Sequence, residues 1–247
     1  ISGYDGLYPL TSEKNTQNWE NVRDSDVVSD IAEKNGLSAI VVQTDPVKPR
    51  IDQNQESDMA FLEKLAERNK VIFYMNGDTL YFGPRNNDRS SVLELSWGKD
   101  LLSFSPEVNL ARQITSVEVY GRSAEKGEFI VGKASRGDES GRDNGRKSGA
   151  DQITKALGSE KVMRVRAAVH TKAEADKRAR AILEERAEQF VKGSGESIGI
   201  PEIVPDINIA LTGLGNVFSK TYYVSECTHK IDGNGYRSTF KVEETSV

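Results

Sequence analysis

The C-terminal stretch carries the tightest constraint on what this chain can fold into. Ile207, Ile209 and Leu211 alternate with Asn208 and Ala210, and Tyr236, Ser238, Phe240 and Val242 alternate with Arg237, Thr239, Lys241 and Glu243. Successive side chains on a strand point to opposite faces, so this period sets one buried and one wet face. Between the two runs stand Gly213-Leu214-Gly215, Phe218-Ser219 and Tyr222-Tyr223-Val224, turn chemistry followed by a third strand. Three strands of this kind specify a barrel or sandwich.

At 247 residues the chain holds one large domain or two small ones. A net charge of −5 gives no basic field, which disfavours nucleic-acid specificity. No apolar run approaches the roughly 20 residues of a bilayer span, so no stable membrane insertion is expected. Ile1-Ser2-Gly3-Tyr4 is polar where a secretory signal would be basic and then apolar, and Ile1 in place of Met reads as an excised or processed chain. Cys227 is the only cysteine, which excludes an intrachain disulfide and a cysteine-based zinc site.

Patterning divides the rest. Residues 1–10 read as a lone strand. Asp24 or Ser25 caps a helix whose stripe is Val27, Val28, Ile31 and Ala32, ending at Asn35-Gly36. A second helix starts at Ser57, buries Phe61, Leu62, Leu65 and Ala66, and stops at Asn69. The two share a phrase, Ser-Asp near the start and Ala-Glu-Lys/Arg-Asn at the end. Common cap chemistry explains this as well as an internal repeat does, and is the simpler reading. Asn76-Gly77 between Val71–Met75 and Asp78–Phe82 signals a hairpin. Residues 11–88 therefore read as a small α+β domain, followed by the polar connector Asn86–Ser91.

Residues 89–247 read as a β-barrel with one helix packed on its wall. Ile114–Tyr120 and Phe129–Ala134 pair as a hairpin, and Val162–His170 is strand-like. Ser135–Gly149 has no apolar residue and reads as a mobile surface loop. Thr171 and Glu174 have capping-box spacing for a helix over 172–192, with Ala179, Ile182, Leu183, Ala187, Phe190 and Val191 on its stripe and Gly193-Ser194-Gly195 as its stop. The expected fold class is α+β and β-rich.

Motifs for chemistry fail one by one. In Gly141-Arg142-Asp143-Asn144-Gly145-Arg146-Lys147-Ser148, Arg146 intervenes where a phosphate-binding loop puts Lys directly after the second Gly, and no clear helix signal follows. His170 and His229 have no carboxylate at ligand spacing, and no nucleophile-elbow sequence occurs. Glu174, Glu184, Glu185 and Glu188 lie on a helix face that suits pairing with Lys177, Arg178, Arg180 and Arg186. No catalytic, cofactor-binding or metal-binding residue is assigned, no cofactor is expected, and the chain reads as a non-enzyme.

In order and spacing, the Gly213-Leu214-Gly215 turn, Phe218-Ser219, Tyr222-Tyr223-Val224, His229 and Gly235-Tyr236 resemble the baseplate hub of contractile phage tails, including late-control D proteins and the hub region of VgrG spike proteins. Gly3-Tyr4-Asp5 with Leu7 and Leu10, Asp24-Ser25-Asp26, Gln55, Ser57-Asp58, Leu65-Ala66-Glu67-Arg68 and Val117-Val119-Gly121 extend the resemblance upstream. Pro205-Asp206 and Phe218-Ser219-Lys220 depart from the family's usual turns. The resemblance implies that residues 1–10 are the last strand of an incomplete first barrel and that 89–247 form a second, tube-like barrel. It also implies a homotrimeric ring joining a hexameric tail tube protein to a trimeric spike protein, within a virion tail or phage-like injection particle assembled in the bacterial cytoplasm. His229 is then structural. A rival resemblance, Asp26 to Leu37 to the first helix of LysM modules, would make the chain a cell-wall glycan binder with an attached β-domain.

Overall fold

The computed structural model describes residues 6–247 except 87, 89, 123–126, 140–145, 168, 170 and 234. The chain divides into two compact units, Ile1–Asn86 and Asn87–Val247.

In the first unit the order is β1 (Lys14–Val22), α1 (Asp24–Lys34), β2 (Ser38–Val41), β3 (Lys48–Ser57), α2 (Asp58–Asn69), β4 (Ile72–Asn76) and β5 (Thr79–Gly83). β1 and β3 form an antiparallel ribbon, and β2, β5 and β4 form a sheet in that order. The expected stripes of both helices are buried, together with Leu80 and Phe82 of β5. The expected hairpin is present, but Asn76 pairs with Thr79, so the turn is Gly77-Asp78, one residue later than predicted. Gly77 takes the positive φ (60°) that this turn needs. The described part of residues 1–10 is not a strand: Tyr8–Thr11 is a 3-10 turn, and residues 1–5 lie outside the described residues.

This unit is an internal repeat, against the simpler reading of its shared phrase. Each helix follows a ribbon strand and precedes a sheet strand, and equivalent positions lie 34 apart (24 to 58, 35 to 69). Asn21 and Gln55 both have positive φ, as do Gly36 and Lys70. The helix ends exchange bonds. Asn35 Nδ2 donates to the Ile31 carbonyl and, at 3.1 Å, to Asp58 at the start of α2; Asn69 Nδ2 donates to the Leu65 carbonyl and, at 2.7 Å, to Asp24 at the start of α1. Shared caps alone do not produce this reciprocity. The LysM comparison fails here too, because β2 and β3 separate the helices that such a module places together.

The second unit contains β6 (Leu93–Ser96), β7 (Leu101–Val108), β8 (Ser116–Arg122), β9 (Phe129–Ser135), α3 (Gly149–Leu157), β10 (Val162–Arg166), α4 (Lys172–Glu188), β11 (Val191–Ile198), β12 (Asn208–Thr212), α5 (Gly215–Phe218), β13 (Lys220–Asp232) and β14 (Gly235–Glu244). Six strands form one sheet in the order β6-β12-β13-β14-β11-β7. Its two edge strands are consecutive in the chain, and four residues join them, so the sheet must curl until its edges meet at that end. There Trp97 N–H donates to the Thr212 carbonyl and Ile198 N–H to the Asp100 carbonyl. The result is a curled half-barrel enclosing Leu95, Leu101, Phe190, Ile203, Ile209, Leu211, Tyr222, Val224, Phe240 and Val242.

Three expectations are corrected. The long helix does not sit on the barrel wall: α4 packs on the separate sheet β10-β8-β9, burying Ala175, Ala179, Ile182 and Leu183 against Val117, Val119 and Ala134. A Cβ on Gly132 would fall 2.1 Å from the Ala175 carbonyl carbon, which measures how closely that helix approaches. α4 also ends at Glu188, and Gly193 and Gly195 lie within β11, where they leave room for the rings of Phe104 and Phe240. Finally, the stretch 135–149 is anchored at its C-terminal end. Ser148 is buried and caps α3 in a reciprocal pair with Asp151, and Lys147 and Val247 exchange two backbone bonds of 3.0 Å. Residues 140–145 of that loop lie outside the described residues.

Candidate functional surface

The half-barrel sorts its side chains by strand alternation. Val191, Gly193, Gly195 and Ser197 of β11 and Ser238, Phe240 and Val242 of β14 face the core. Lys192, Ser194 and Glu196 of β11, Thr239, Lys241 and Glu243 of β14 and Glu226 of β13 form the outer wall. Its charges neutralise one another across the strands: Lys241–Glu226 (2.7 Å), Lys192–Glu243 (3.4 Å) and Arg237–Glu196 (3.4 Å). Exposed pairs of this kind add little stability, but they leave a wall with polar texture and almost no net field. A shallow groove of about 350 Å³ runs over it between Ser105, Lys192, Ser225 and Lys241.

His229 projects from β13 toward the segment Gly199–Pro205. Its Nε2 lies 2.9 Å from the Ile203 carbonyl, which can only accept, so Nε2 carries the hydrogen and Nδ1 is the acceptor. The hydroxyls of Ser238 and Tyr236 each lie 2.9 Å from Nδ1. A serine beside a histidine acceptor has the elements of a nucleophile and base. Ser238, however, is 0% exposed, and its oxygen accepts the Ile200 N–H at 3.0 Å, so no substrate carbonyl reaches it. The group braces the 200–203 segment against the β13–β14 hairpin. Cys227, 3.4 Å from His229 Nε2, has its thiol pushed up to about 11 by burial, away from thiolate chemistry. His170 lies outside the described residues.

The loop with the spacing of a near-miss phosphate site is used structurally where it is described. Arg146 donates to the carbonyls of Val217 (3.4 Å) and Ser219 (3.1 Å), and Asp151, which pairs with Arg136 at 3.4 Å, places a carboxylate at the start of α3 where an anion would sit. Among the described residues, no group of three or more His, Cys, Asp or Glu could hold a metal ion.

Sequence reasoning missed a buried charge cluster in the first unit. Asp24 is 1% exposed and takes bonds from Lys48 Nζ (2.5 Å), Arg68 Nε (3.0 Å) and Asn69 Nδ2 (2.7 Å). Burial alone would raise its carboxyl, but the bonds from Lys48, Asn69 and Arg68 outweigh burial and hold it below the ordinary value. Its partners come from up to 45 positions away, a distance at which local pattern carries no signal.

Known proteins share this architecture. The 43 kDa tail protein of prophage MuSo2 from Shewanella oneidensis superposes with a TM-score of 0.67 at 14% identity, over 97% of this chain and 70% of that one. A tail protein of Neisseria meningitidis MC58 gives 0.65 at 12% identity, over 95% and 71%. An E. coli component of the type VI secretion system, described as structurally similar to the phage T4 tail proteins gp27 and gp5, gives 0.56 at 12% identity, over 98% and 54%. In sequence, the "Probable baseplate hub protein" of Escherichia phage 186 is 36% identical over 74 residues, a stretch covering 29% of this chain and only 19% of that protein. A family model described as the Alg8 N-terminal domain matches residues 1–233. The chain therefore belongs to the Alg8 N-terminal domain family and is similar, in fold and in part of its sequence, to the baseplate hub and tail proteins of phages.

Proposed function

We propose that the chain is a structural hub subunit of a contractile tail or related injection apparatus, joining a hexameric tube to a trimeric spike as part of a homotrimeric ring. The observation that carries this reading is the curled six-stranded sheet in an architecture that superposes on a phage tail protein over 97% of the chain. The self-neutralised outer wall supports it, since ring contacts and channel linings need broad polar surfaces and not a cleft. The serine beside His229 is sealed, which supports a non-enzymatic role, and peptidoglycan and nucleotide hydrolysis assays should read blank. On this reading the protein resides in a virion tail or phage-like particle, with the tube and spike proteins as neighbours.

Light scattering over rising concentration tests the assembly. A trimer is expected of the intact protein, and a smaller or concentration-dependent species of this chain by itself. A stable monomer of the intact protein up to about 100 µM, far above the dissociation constants of permanent rings, would overturn the self-assembling hub.

A further inference from the structure

Among the described residues, the sheet β10-β8-β9 carries a helix, α4, on one face only. Strand register places Glu118, Tyr120 and Arg122 of β8 on the other face, beside Lys133, Val131 and Phe129 of β9 and Arg164 and Arg166 of β10. Four cations thus stand against one carboxylate, in a chain whose net charge is −5. Glu118 sits at the centre. It accepts from the Tyr120 hydroxyl (2.6 Å), Lys133 Nζ (2.9 Å) and Arg164 Nε (3.1 Å), and these partners draw its carboxyl down to about 2, so it stays charged at any physiological pH. Arg122 bonds the Gly127 carbonyl and lies 6.0 Å from the Phe129 ring centre, while Phe129 itself is 84% exposed. No ion pair to Arg166 is found among the described residues.

We infer that this open sheet face is a docking surface for an acidic, partly apolar protein segment, with Arg122 and Arg166 taking its carboxylates and Phe129 its apolar contact. Charge complementarity argues for the acidic partner. The fixed carboxylate at the centre argues against a nucleic acid, because a phosphate track crossing the face would meet Glu118, whereas a protein segment can set a donor there. The inference goes beyond the hub reading and does not depend on ring assembly.

The test is fluorescence anisotropy of the full chain with a short fluorescein-labelled peptide of glutamates around one central phenylalanine, and separately with a labelled oligothymidine. Saturable peptide binding is expected, weakening as salt rises from about 50 to 200 mM. Arg122→Glu with Arg166→Glu should weaken it at least about tenfold. Phe129→Ser, which alters no charge, should weaken it several-fold, and keeps the test decisive if the double reversal lowers stability. Lys99→Glu, an equal change of charge per site on the turn between β6 and β7, should leave it unchanged. Absence of saturable binding, an equal loss in Lys99→Glu, or tighter binding of the oligothymidine would overturn the proposal.

Discussion

Asp24 shows how one side chain ties distant parts of the first unit together. Breaking a fully buried ion pair costs about 3–5 kcal/mol. Lys48 and Arg68 both reach water, with side chains 24% and 46% exposed, so Asp24→Ala should cost less, about 2 kcal/mol, read as a lower urea midpoint at unchanged slope. The pH dependence has a definite sign. The carboxyl is held below its ordinary value in the folded chain, so the unfolded chain takes up the proton first. Its stabilisation is complete above the ordinary carboxylate range and is lost as pH falls through the folded value. Thermal midpoints measured from pH 6 downward should therefore fall less steeply in Asp24→Asn than in the parent. The reciprocal amides give a matched pair: Asn35→Ala and Asn69→Ala should each cost about 1 kcal/mol. Grossly unequal losses would mean that the two halves of the repeat carry unequal loads.

Among the elements, legibility tracked how local the cause was. The stripes of α1 and α2 and the caps of α2 and α4 were readable because each lies within one segment; Ser57 accepts the Ala60 N–H and Thr171 the Glu174 N–H as their spacing predicts. The cap of α1 was not: Asp24 and Ser25 lie inside the helix, Arg23 holds the N-cap position, and the Asp24 carboxylate turns to Lys48, Arg68 and Asn69. β1 and β3 were not readable. Their ribbon is mostly polar, with Trp19 and Ile51 facing the core from opposite positions, so almost no alternation reaches the sequence. α3 was missed because Asp151 stands where a capping box usually has Glu or Gln, after a glycine-rich run. Gly193 looked like a helix stop because a small residue required by a ring overhead reads the same as one required by a turn. None of the expected absences of chemistry left a pattern to check, whereas the Asp24 cluster needed the fold to be seen at all. Close packing gives the element-scale prediction. Gly132→Ala drives a methyl into the α4 backbone and should cost about 3 kcal/mol or more. Gly233→Ala, with nothing within 4 Å of its Cβ, should stay within about 0.5 kcal/mol.

For the larger unit, the half-barrel is asymmetric along its length. At the Trp97–Asp100 turn the edges are joined by the chain itself and by bonds to Thr212 and from Ile198. β6 runs for four residues and β7 for eight, so the far half of β7 has no strand of matching length opposite it. Hydrogen exchange should find the Trp97 and Ile198 amides among the slowest of this sheet, and the outward amides toward Val108 among the fastest. Equal protection at both ends would contradict this picture. Mechanically, such a sheet behaves like a book with a short spine. A load spreading its walls is resisted at the turn by covalent chain, and at the opposite end only by curvature and the packed core. The curled wall of this half-barrel is thus fixed at one end and compliant at the other, so a neighbour that needs a rigid rim must seat at the Trp97 end.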